Sequence, residues 1–90
     1  MPFTENQKTQ FIALLQAKGW QLRDDTIWSP SEGLYFNNSH FAHWGPVEMH
    51  DIFTQRAGRI AKSQLSNWQR VTHENEEVAL TAKEVMKLNP

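Results

Sequence analysis

Cysteine is absent from this sequence, which excludes disulfides, thiol catalysis, iron–sulfur clusters and cysteine zinc sites. Long apolar runs are absent too. The longest, Phe11-Ile12-Ala13-Leu14-Leu15, is far too short to cross a bilayer, so no membrane partner is expected. The N-terminus, MPFTENQKTQ, has neither a basic n-region nor an apolar h-region, so no signal peptide is expected and a cytoplasmic setting follows. In that setting the sequon-like Asn37-Asn38-Ser39 is a chance match. No glycine-rich phosphate loop occurs and no serine has a nucleophile-elbow context, so neither catalysis nor a cofactor is expected. Charge of one sign is also lacking. A formal net charge of −1 argues against a dedicated nucleic-acid or membrane-surface protein, though not against a local basic face.

The 90 residues are enough for one domain and leave no room for a second core. A chain of this size buries roughly 60–65% of the surface its unfolded form exposes, a small margin that association with a second copy would improve. The apolar content of 39% and charged content of 21% fit a globular protein.

Local signals place the elements. Thr4 with Gln7 three residues on is a capping-box pattern, and Phe11, Ile12, Leu14 and Leu15 follow on one side at helical spacing. Lys18-Gly19 stops this helix, with Gly19 in the left-handed conformation and Trp20 packing back on Leu15. Three strands are expected next: Trp20 to Arg23, Thr26 to Ser29 and Leu34 to Phe36. Asp24-Asp25 forms the first turn. Pro30-Ser31-Glu32-Gly33 forms the second, with positive φ assigned to Gly33. Asn37-Asn38-Ser39 then breaks the sheet, and a loop containing His40 and His43 leads to a helix that opens at Gly45-Pro46. Met49, Ile52, Phe53, Ala57 and Ile60 form its buried stripe. A second capping-box pattern at Ser66-Asn67-Trp68-Gln69 favours a break at 63–67, with a last helix from about Asn67 to Leu88. The expected fold is therefore α+β in the order α-β-β-β-α-α, an N-terminal helix, a three-stranded antiparallel meander and two C-terminal helices.

Three sets of residues are candidates for function. Trp68, Val71, Asn75, Val78, Ala82 and Val85 recur in steps of three and four, a stripe narrow enough to be a coiled-coil seam. Together they suggest a homodimer, with Asn75 setting register. Arg56, Arg59, Lys62 and Arg70 lie in a window from Ile52 to His73 that holds no acid. They could contact phosphates or another anion, although a near-neutral chain makes nucleic acid the lesser expectation. His40, His43, Glu48 and His50 have the right chemistry for zinc, nickel or non-haem iron. Their spacing matches no specific motif and Pro46 separates them rigidly, so no metal is assigned.

Arg56 itself falls within the buried stripe. It is expected to pair with an acid of the meander, among Asp24, Asp25 and Glu32, to snorkel, or to hold a ligand anion. The leading expectation for the whole chain is a non-enzymatic interaction protein, homodimeric through its C-terminal helices. A small nucleic-acid-binding regulator and a metal or small-ligand site are the alternatives.

Overall fold

The computed structural model describes residues 1–63 and 68–88, and side chains for all of these but 63, 68 and 69. The first helix, α1 (Glu5–Ala17), opens on the expected capping box. Gln7 N–H donates to the Thr4 hydroxyl and Thr4 N–H to Gln7 Oε1, each at 3.0 Å. It closes on a glycine stop, with Gly19 at φ 97°. Gly19 N–H donates to Gln16 and Trp20 N–H to the Leu15 carbonyl, the paired bonds that satisfy the last free carbonyls of a helix.

Strands β1 (Gln21–Arg23), β2 (Thr26–Trp28) and β3 (Tyr35–Phe36) form an antiparallel meander in the order β1-β2-β3. Arg23 pairs with Thr26 across the Asp24-Asp25 turn, and Asp24 takes a left-handed φ of 55°, which a short polar side chain tolerates. In the second turn the positive φ, 64°, belongs to Glu32 and not to Gly33. Side-chain hydroxyls set this turn: Leu34 N–H donates to Ser29 Oγ at 3.1 Å and Gly33 N–H to Ser31 Oγ at 3.1 Å. Those two bonds hold Gly33 away from the left-handed region and transfer the strain to Glu32.

A short helix, α2 (Asn38–His43), occupies the segment expected to be loop. Asn37 is its N-cap, its side chain accepting from Ser39 N–H at 3.0 Å, while Asn37 N–H donates to His40 Nδ1 at 3.0 Å. Histidine here fills the capping-box role usually taken by Glu or Gln, so the pattern goes unnoticed in sequence. Helix α3 (Pro46–Ser63) starts at proline as expected, and Glu48 Oε1 accepts from Gly45 N–H at 2.6 Å. Helix α4 (Trp68–Lys87) packs along α3 and also against α1. Of the expected break at 63–67, Ser63 ends α3 and residues 64–67 lie outside the described residues.

The core is an aromatic centre with an aliphatic flank. Phe11, Phe36, Phe41 and Phe53 meet edge to face or tilted, and Phe3 packs on Phe11 and Phe41 with centroids 5.1 Å apart in each pair. Ile27 and Phe36, paired across β2 and β3, turn inward onto α1 and α3. Val78, Ala79, Ala82 and Val85 of α4 close the other side.

That last fact corrects the expectation of a self-associating seam. Asn75, Val78, Ala82 and Val85 are fully buried within this one chain, and Val71 is half-buried. The side chain of Trp68 lies outside the described residues. The stripe looked narrow because its flanks are polar or small: Glu74, Ala79 and Thr81 are buried as well. Both polar flanking residues are held. Thr81 accepts from Lys18 Nζ at 2.8 Å, and Glu74 accepts twice from Ser31 in the β2–β3 turn. The stripe is thus the broad inward face of a core helix.

Candidate functional site

The sheet's outer face carries Trp28 and Tyr35, brought opposite each other by the β2–β3 register, with ring centroids 4.9 Å apart. Arg23 sits over Trp28 at 5.8 Å and is held there by Glu32 at 2.9 Å. Beyond Tyr35 the sequence of rings continues through α2 and α3. His40 meets Tyr35 at 5.7 Å and Trp44 at 5.7 Å, Trp44 meets Phe53 at 6.2 Å, and the Arg56 guanidinium lies over Phe53 at 5.5 Å. The result is a band of aromatic rings with an arginine at each end.

Between the hairpin, α2 and α3 this band folds into a cleft of about 220 Å³, lined by Gly33, Leu34, Tyr35, His40, Trp44, Phe53 and Arg56. Phe53 and Leu34 form its buried floor, Tyr35 is 47% exposed, and His40, Trp44 and Arg56 are half-buried. No carboxylate lines it. Burial lowers the pKa of His40 from its ordinary value, so its neutral form is favoured. Geometry also assigns the tautomer: Nδ1 accepts the Asn37 amide, which leaves the proton on Nε2.

The expected pairing of Arg56 with an acid of the meander does not occur. Glu32 is taken by Arg23, and among the described residues Arg56 has neither an ion pair nor a hydrogen bond. It packs its charge on Phe53 and faces the cleft. The other basic candidates are not gathered there. Arg59 and Lys62 are exposed further along α3, and Arg70 lines a separate cleft with Lys18, Ser31, His73, Glu74 and Glu77.

The histidine set is dispersed among local bonds. His43 Nδ1 is 2.9 Å from the Ser39 carbonyl, and His50 Nδ1 is 3.0 Å from Asp51. Glu48 caps Gly45 and lies 3.7 Å from the Met1 amino group. Among the described residues no three His, Asp or Glu side chains converge on a point where an ion could sit. Sequence reasoning passed over Tyr35, Trp44, Trp28 and Arg23 as site residues. The signal available was the aromatic content, four Trp, five Phe and one Tyr in 90 residues, but only the strand register and the unrecognised helix α2 line these rings up.

The fold and the cleft together define a small α+β domain with an aromatic pocket and an arginine that has no side-chain hydrogen bond or ion pair among the described residues. No protein family model matches this chain, and no curated protein or solved structure is similar to it.

Proposed function

We propose that this chain is a small, non-catalytic recognition module that binds through the aromatic band. One observation carries the reading: the rings from Trp28 to Trp44 are kept half-exposed in a continuous row, while the phenylalanines beneath them already fill the core. Half-exposed aromatic groups supply large contact area at little cost in side-chain entropy, which is why they dominate recognition surfaces. A non-catalytic role is supported by the lining of the cleft. It has no carboxylate, and its single imidazole is occupied at Nδ1 as a cap. The test is a nuclear magnetic resonance screen of ring-containing fragments against the labelled chain. Hits should shift the indole N–H signals of Trp28 and Trp44 and vanish in Tyr35→Ala. Hits confined to the α3–α4 side, with those indoles unmoved, would refute the reading.

Self-association is a second reading, moved from the buried stripe to an exposed apolar end. Val47, Met86 and Leu88 are 53%, 37% and 45% exposed and line one shallow groove with Met1 and Pro2. A patch placed on itself by a two-fold axis is complementary by construction, and a core this small benefits from the added burial. Sedimentation equilibrium should then give a dimer that Val47→Glu dissociates. A monomer at tens of micromolar would end this reading.

A further inference from the structure

We infer that the cleft at Arg56 binds a flat aromatic ring that carries an acid group, with the ring against Tyr35 and Trp44 and the acid on the Arg56 guanidinium. This rests on the recognition-module reading and names its ligand chemistry. Four features of the cleft converge on it. Arg56 presents a planar fork of donors suited to a carboxylate or phosphate, and among the described residues none of those donors is used. The Nε2–H of His40, fixed by the cap at Nδ1, is a second donor with no acceptor among the described residues. The lining holds no carboxylate, and the chain from Ile52 to His73 has none either, so the local field stays positive although the whole protein is near neutral. Finally, Tyr35 and Trp44 flank the cleft as half-exposed faces on which a ring can stack.

Size narrows the ligand further. At about 220 Å³ the cleft falls below the roughly 300–1,000 Å³ of pockets that enclose a whole drug-sized molecule. It takes one ring and its acid and leaves the remainder of the ligand in solvent. A nucleoside monophosphate has this chemistry, whether free or as one unit of a single strand. Arg59 and Lys62, exposed further along the same helix, would meet the phosphates of a strand.

The experiment titrates the full chain with 5′-AMP, adenosine, inorganic phosphate and a single-stranded oligodeoxyadenylate, following the Trp28 and Trp44 indole signals. AMP should bind about ten-fold more tightly than adenosine, equivalent to about 1.4 kcal/mol, and phosphate alone should leave the indoles unmoved. Arg56→Gln should reduce AMP to the level of adenosine, Arg56→Lys should recover part of the loss, and Lys87→Gln, an exposed cation on α4, should leave AMP binding unchanged. Circular dichroism confirms that each variant folds. An oligonucleotide that binds at least about ten-fold more tightly than AMP identifies a strand as the source, and equal or weaker binding identifies the free nucleotide. Equal affinity for AMP and adenosine, or indifference to Arg56→Gln, would overturn the acid site while leaving the recognition module standing. Failure of every ring to bind would remove both.

Discussion

Replacing Glu74 tests whether the two halves of the chain are held together by one buried carboxylate. Glu74 is 3% exposed and lies on α4, yet both of its oxygens bond to the β2–β3 turn. Ser31 N–H donates to Oε2 at 2.9 Å and the Ser31 hydroxyl to Oε1 at 2.6 Å. Hydrogen bonds to a charged acceptor contribute roughly 1.5–3 kcal/mol each. Ser31 is only half-buried, so its donors regain water once the acid is removed, and the low end of the range applies. Glu74→Ala should therefore cost about 3 kcal/mol, which in a domain of this size lowers Tm by roughly 12–24 °C. Glu74→Gln should cost about half as much, because the amide keeps one acceptor and turns a donor toward the other Ser31 donor. Urea unfolding gives the free energies, and a cycle with Ser31→Ala isolates the pair. Ser31→Ala should cost about 2 kcal/mol in the native background, and beside Glu74→Ala only about 0.5–1 kcal/mol, for the Gly33 bond that the hydroxyl also accepts. A loss under about 1 kcal/mol for Glu74→Ala, or strict additivity, would refute the clamp.

Two further outcomes follow from the same kind of accounting. His40 has a lowered pKa in the folded state, so the unfolded chain binds the extra proton first. Stability should be complete above the unfolded value near 6.5 and decline as pH falls below it toward the folded pKa. His40→Gln keeps the capping-box geometry without a titrating group and should flatten that slope, read from urea midpoints between pH 7.5 and 5.5. Asn75 is fully buried with its amide on the Val71 carbonyl at 2.7 Å, and its Oδ1 has no donor among the described residues. Asn75→Leu should stabilise the fold by about 1 kcal/mol, and a comparable loss would show that Oδ1 is bonded after all.

Much of this architecture is legible from residue chemistry. The Thr4–Gln7 box, the Gly19 stop, the three strands and the start of α3 at Pro46 all depend on bonds between neighbours in sequence, and such bonds leave local marks. What escapes is set by partners far away. Glu74 and Thr81 look like solvent-facing residues until Ser31 and Lys18 arrive from the first third of the chain. For Arg56 the sequence offers Asp24, Asp25 and Glu32 as partners, but the fold pairs Glu32 with Arg23 and brings neither aspartate to the guanidinium. Helix α2 was hidden because a histidine does the work of a glutamine. The candidate site shares this origin, since its rings come from β2, β3, α2 and α3 and no interval in the sequence spaces them as a motif.

The bonds that tie α1 and the meander to α4 impose an order on synthesis. Lys18 is anchored by Thr81, Trp20 by Glu77 and Ser31 by Glu74, separations of 63, 57 and 43 residues. A nascent chain therefore makes α1 and the hairpin early but leaves the core without the face that Val78, Ala79, Ala82 and Val85 supply until α4 follows. At about 5–20 residues per second the 20 residues of α4 take roughly one to four seconds to add, an interval in which that side of the core is open. For this fold the hazard of aggregation is concentrated in the interval before α4 is available, and a chain that lacks α4 has no closed core.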